Sequence, residues 1–131
     1  MTAVDFEQWV APDLVLTLGG RTYRVPPPSV EDAGRILALA VVAEVMLGIS
    51  AGPVPDPVQE VVDGIGRHEH PALGPVYRQM VDDGLLPVTV DRAATYAILF
   101  WARGREYADA IAVLIWTPSD AVEAGGAAPK A

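Results

Sequence analysis

Arg67-His68-Glu69-His70 is the stretch whose side chains come nearest to a reactive set. Two imidazoles flanking a carboxylate could hold a divalent cation, and His68 and His70 are the only histidines in the chain. Their i, i+2 spacing brings both rings to one face only in an extended segment, because a helix turns them apart. Pro71 follows at once, and Gly64, Gly66 and Gly74 flank the stretch, so a solvated loop is expected and no metal site. Asp82-Asp83 supplies two carboxylates, yet neighbours on a helix diverge and no distant acid is marked out as the second half of a dyad. The pair reads as solvated punctuation before Gly84.

Other motifs fare no better as chemistry. Gly19-Gly20-Arg21 lacks the strand-to-helix context of a phosphate loop and is fully explained by a hairpin turn. Arg103-Gly104-Arg105, flanked by Trp101 and Tyr107, could stack on bases, but two arginines beside Glu106 read better as a helix C-terminus satisfying its dipole. There is no GxSxG context and no cysteine nucleophile. The expectation is a protein that is not an enzyme, with no cofactor.

Composition narrows the partners. The chain has 131 residues, 51% hydrophobic and 20% charged, which suits one domain with a modest core. A formal net charge of −8 argues against nucleic acid and against an anionic membrane surface, both of which need a basic face. The absence of cysteine removes disulfides and thiolate metal sites and fits a reducing compartment. The first residues are acidic where a secretory leader is basic, and the longest apolar run, Ile36 to Ile49, falls short of the roughly 20 residues of a membrane span. A soluble, cytosolic protein is expected.

The elements follow from local signals. Residues 2 to 10 suit a short lead-in helix with Phe6 and Trp9 on one side. Leu14–Leu18 and Arg21–Val25 alternate around Gly19-Gly20, which makes a β-hairpin. Pro26-Pro27-Pro28 ends the pairing, and Ser29 with Asp32 three residues on caps a helix from Val30 to Leu47, stopped by Gly48. The body of that helix, Ile36 to Ala43, has no polar face. A loop follows to Asp56-Pro57, read as the N-cap and first-turn pair of a short helix reaching Val62 or Asp63. Pro75 opens another helix ending at Gly84. Leu85 to Val90, rich in β-branched residues, reads as an extended connector, with Asp91 capping a helix from Arg92 to Arg103 and Gly104 as its stop. Glu106 to Trp116 is the last helix.

The expected fold is therefore α+β: mostly α-helical, with an N-terminal β-hairpin packed on a small helical bundle. Residues 1–13 are a lead-in segment, 14–118 a single compact domain, and 119–131 a flexible Ala/Gly tail. A small domain has limited room to hide fully apolar helices. The excess apolar surface is assigned to partner contacts, with Ile36, Leu37, Val41, Val45, Phe100, Trp101 and Trp116 as candidate partner-binding residues.

Three stretches, in this order, resemble the small tail assembly chaperones of long-tailed phages that infect actinobacteria. They are Leu16-Thr-Leu-Gly-Gly-Arg-Thr-Tyr-Arg-Val-Pro-Pro-Pro-Ser29 with Ala33 to Leu37, then Leu73-Gly-Pro-Val-Tyr-Arg-Gln-Met-Val-Asp-Asp-Gly84, then Ala93-Ala-Thr-Tyr-Ala-Ile-Leu-Phe-Trp101 with Gly104, Ala108 and Trp116. None is a catalytic signature. The resemblance implies a late protein of a siphophage that binds the tape measure protein, keeps its apolar helical segments dispersed in the host cytoplasm, and is absent from the mature virion. It also implies the short, pre-frameshift form of such a chaperone, with a longer form reaching the tail tube protein, and leaves room for a homo-oligomer. The competing expectation is a structural tail or head–tail connector protein retained in the particle.

Overall fold

A computed structural model describes residues 12–117; the lead-in helix expected over residues 2 to 10 and the tail from 119 lie outside the described residues. The chain opens with strands β1 (Leu14–Leu18) and β2 (Arg21–Val25), paired antiparallel in the register Leu14↔Val25 to Leu18↔Arg21. The two-residue turn between them needs positive φ at both centres, and Gly19 (57°) and Gly20 (83°) provide it. Period-2 alternation then sorts the faces: Leu14, Tyr23 and Val25 are buried, whereas Val15, Thr17, Thr22 and Arg24 face out.

After the prolines comes α1 (Val30–Met46), whose N-cap Ser29 accepts the Asp32 N–H on Oγ at 3.1 Å. Its C-terminus closes as a Schellman motif. Gly48 takes φ 78°, its N–H bonds Val45 O at 3.1 Å, and the Ile49 N–H bonds Glu44 O at 2.8 Å. Next are α2 (Asp56–Asp63) and α3 (Val76–Asp82), and α3 repeats the same closure, with Leu85 N–H on Met80 O at 3.1 Å and Gly84 at φ 77°. Then α4 (Pro87–Arg103) and α5 (Arg105–Trp116) complete the chain. Gly104, at φ 105° and ψ 166°, is at once the C-cap of α4 and the N-cap of α5.

The expected α+β, mostly helical architecture is what the chain adopts, with three local corrections. Leu85 to Val90 is not an extended connector. Leu86 is the extended N-cap of α4, and Pro87 stands at the first helical position, where its preset φ helps and its missing N–H costs nothing. Asp91 consequently lies inside α4 and caps nothing. At α2 the N-cap is Pro55, so Asp56 and Pro57 both sit within the first turn. The β-branched Val88-Thr89-Val90 run mimics a strand, but a proline start and burial of Val90 override that propensity.

Two apolar clusters hold the fold. The larger joins Leu14, Tyr23 and Val25 of the hairpin to Ile36 of α1, to Leu73, Val76 and Met80 around α3, and to the inner face of α4. The smaller joins Ala40 of α1, Leu99 of α4, and Ala108 and Ile111 of α5. Along α1, α2 packs on one side and α4 on another, and α5 folds back on α4. Polar pins fasten the hairpin to the end of α3. The Tyr23 hydroxyl donates to Asp83 Oδ2 at 2.7 Å, and Arg21 reaches the Asp83 carboxylate and carbonyl, each at 3.2 Å. Asp83 is thus an anchor, where a solvated pair with Asp82 was expected.

Candidate functional site

Helical geometry decides which residues of the apolar α1 remain available. Ile36 and Leu37 are successive residues, about 100° apart around the axis, and they part company. Ile36 turns into the core with 1% of its surface exposed, while Leu37 stays 47% exposed. Ile36 is therefore corrected from a partner contact to a core residue. On the side towards α2, Gly34, Leu37, Ala38 and Val41 recur at i, i+3, i+4 and i+7, with Ala38 buried, and α2 lies beside them with Pro57, Val58 and Val61. Together they line an open groove of about 260 Å³ whose exposed wall is mainly apolar.

The α2 wall is unusual in that its whole apolar side lacks a buried residue, and Val61 is 43% exposed. Gly34 matters here because a Cβ on it would meet nothing within 4 Å, so the floor of the groove at that point is empty space. Val30, one turn earlier on the same face of α1, is 93% exposed and extends the apolar line towards the hairpin. Val45, one turn beyond Val41, lies outside the groove lining and close to the loop, where a Cβ added at Gly52 would come within 3.1 Å of its Cγ1.

The remaining candidates lie apart from this groove, each engaged within the fold. Trp101 donates its indole N–H to Ala72 O at 3.0 Å. Phe100 meets Trp101 edge-on at 4.9 Å and carries the Arg105 guanidinium 5.0 Å above its ring. Trp116 lies under the Arg92 guanidinium, 5.7 Å away. Leu37 and Val41 are thus brought together in the groove, and Val45 lies outside it.

One polar cluster went unforeseen. Glu44, the single acid in the later part of α1, is only 6% exposed. Arg103 grips it with Nε on Oε2 at 3.0 Å and Nη2 on Oε1 at 2.9 Å, and the Tyr107 hydroxyl donates to Oε2 at 2.6 Å. These bonds, the arginine's first, hold the Glu44 carboxyl below its usual pKa even though burial pushes the other way. The bidentate fork ties α1 to the end of α4 and the start of α5. Arg103 is thus committed to Glu44 and Arg105 lies over the Phe100 ring, and their aromatic neighbours Trp101 and Tyr107 are committed to internal bonds. Arg103 and Glu44 are 59 residues apart, so no sequence window contains both.

The histidine segment forms no converging set. His70 stacks on Tyr77 at 4.0 Å, while His68 is exposed. Burial, the main cause, lowers the His70 pKa, with the His68 charge adding and Asp91 opposing. Glu69 accepts the Gly66 N–H and lies 3.9 Å from Arg35. Among the described residues no group of three or more His, Cys, Asp or Glu side chains is placed to hold a metal ion, and no helix is long and apolar enough to cross a membrane.

No curated protein and no solved structure matches the chain. A family model described as "Domain of unknown function (DUF7426)" matches residues 4–131, nearly the whole length, and the chain belongs to that family.

Proposed function

We propose that the chain is a phage tail assembly chaperone that shelters apolar helical segments of the tape measure protein, works in the host cytoplasm without chemistry of its own, and is left out of the mature virion. The observation that carries the reading is the open α1–α2 groove, an apolar trough with Leu37 and Val61 exposed on its walls. The ordered likeness to known tail assembly chaperones supports the same reading.

The energetics suit this work. Covering a half-exposed leucine or valine yields about 1 kcal/mol, so Leu37, Val41, Val58 and Val61 together contribute a few kcal/mol per copy. One such contact is weak and reversible, while many copies along one extended client hold it firmly. The net charge of −8 keeps the loaded array dispersed.

The test is co-expression with fragments of the tape measure protein and affinity capture. The wild type should retain a helical fragment, and Leu37→Asp combined with Val61→Asp should release it while the thermal melt stays put. Retention of the fragment by the double variant would remove the groove from the reading. Recovery of the chain in purified virions by mass spectrometry would favour the structural tail or connector protein instead.

A further inference from the structure

We infer that a second site, separate from the α1–α2 groove, binds a small organic cation: an ammonium group carried on a ring-bearing apolar body. The cavity lies between α1, α4 and the segment joining α2 to α3. It offers about 420 Å³, which is the size of a small-molecule pocket. From α4 come Asp91, Ala94, Thr95 and Ile98, which share one face at i, i+3, i+4 and i+7. Leu39 of α1, with Ile65, Pro71 and Ala72 of the joining segment, completes a mainly apolar wall. None of these residues lines the groove.

Charge selects the class of ligand. Glu69 and His70 also line the cavity, and among the described residues no lysine or arginine does. Glu69 accepts the Gly66 N–H and lies near Arg35, a guanidinium already shared with Glu31 and Asp32. Burial, outweighing the opposing charge of Asp91, holds the His70 pKa below its ordinary value, so at neutral pH the imidazole is uncharged. Arg92, the next residue after Asp91, sits over the Trp116 ring instead. Asp91 itself is exposed and, among the described residues, takes part in no hydrogen bond or ion pair of its side chain.

Asp91 and His70 also line a smaller hollow of about 270 Å³ with Tyr77, Leu85 and Val90. One uncompensated carboxylate therefore borders two largely apolar recesses. A cation on an apolar body satisfies both features at once, whereas an anion is repelled and a bare metal ion leaves the apolar wall uncovered. An unbranched lysine stem would leave most of the larger recess unfilled, which favours an amine that carries a ring.

The experiment uses the full chain, amide NMR titration, and probes of similar shape: phenethylammonium, phenethyl alcohol and hydrocinnamate. The ammonium should shift the amides of Ala72, Ala94 and Thr95 with a Kd of about 1 mM. It should bind about fivefold more tightly than the alcohol at low salt, and the carboxylate should be the weakest. Asp91→Asn should bring the ammonium down to the affinity of the alcohol. Thr95→Leu should fill the recess and weaken ammonium and alcohol alike, while Leu37→Asp in the groove should alter neither. If either cavity variant fails to fold, the wild-type series alone decides.

Equal affinity for ammonium and alcohol, or an Asp91→Asn chain that keeps the preference, would overturn the charge assignment. A blocked lysine that bound as tightly as phenethylammonium would move the source to a side chain of another protein and overturn the ring-bearing amine. No movement of the cavity amides with any probe would remove the site, and would leave the groove untouched.

Discussion

Glu44→Gln keeps the volume of the side chain and removes one charge, so it isolates what the buried clamp contributes. In the wild type three donors converge on two carboxylate oxygens. The amide can accept from one side only, and turns its own NH2 towards Arg103 or Tyr107. Breaking a buried pair by neutralising one partner typically costs about 3–5 kcal/mol. Here the Arg103 side chain is 35% exposed against 8% for Glu44, so water recovers part of the orphaned charge and the expected loss falls to about 2–3 kcal/mol. Urea unfolding followed by circular dichroism should show the midpoint falling by about 2 M with an unchanged slope, for a slope of about 1–1.5 kcal/mol/M. The pH dependence carries a matching sign. The folded pKa of Glu44 is depressed, so its contribution is complete above the ordinary carboxylate range and fades as pH falls through the lower, folded value. Glu44→Gln should lack that part of the acid limb. A midpoint shift worth less than about 0.5 kcal/mol, or an acid limb identical to wild type, would refute the reasoning.

Three further outcomes follow from named contacts. Tyr23→Phe deletes the 2.7 Å bond to Asp83 without changing the buried ring, and should lower stability by about 1–2 kcal/mol in thermal melts; no change would mean that the hairpin is held by apolar contact alone. Gly104→Ala places a Cβ at φ 105° and ψ 166°, a region open to little but glycine, and should cost about 1–3 kcal/mol by denaturant titration. Burial first, and then the bond to Asp109, push the Tyr96 phenol up to about 12. Tyr23 and Tyr107 are raised as well, by burial first for Tyr23 and by the bond to Glu44 first for Tyr107. Ultraviolet titration should therefore find several late-ionising tyrosines, and Tyr96→Phe should remove one of them; stability should decline as pH climbs from the ordinary tyrosine range through the folded Tyr96 value.

What could be read from the chain was what neighbours in sequence decide. Gly19-Gly20, Ser29 with Asp32, Gly48 and Gly104 each act within a few residues, and each sits where local chemistry puts it. The start of α4 was misread because Val88-Thr89-Val90 carries strand propensity, while the deciding factors were Pro87 and the packing of Val90. Within the candidate site, Leu37 and Val41 were identifiable as apolar, but nothing local separates Leu37 from Ile36. Only the position of α4 on one side of α1 decides which is covered. Glu44 with Arg103 and Tyr107, and Tyr23 with Asp83, join residues some sixty positions apart, which periodicity cannot pair.

Glu44 and Leu37 are seven residues apart, which on a helix is the same side at a separation of about 10 Å. An oily rod has little to choose between one rotation and another when it lies among oily neighbours. The fork from Arg103 acts as an index mark: it fixes the rotation of α1 about its axis, and with it the bearing of the leucine two turns upstream. If a client docks there as proposed, it finds its berth already set and need not spend its attraction on arranging the host.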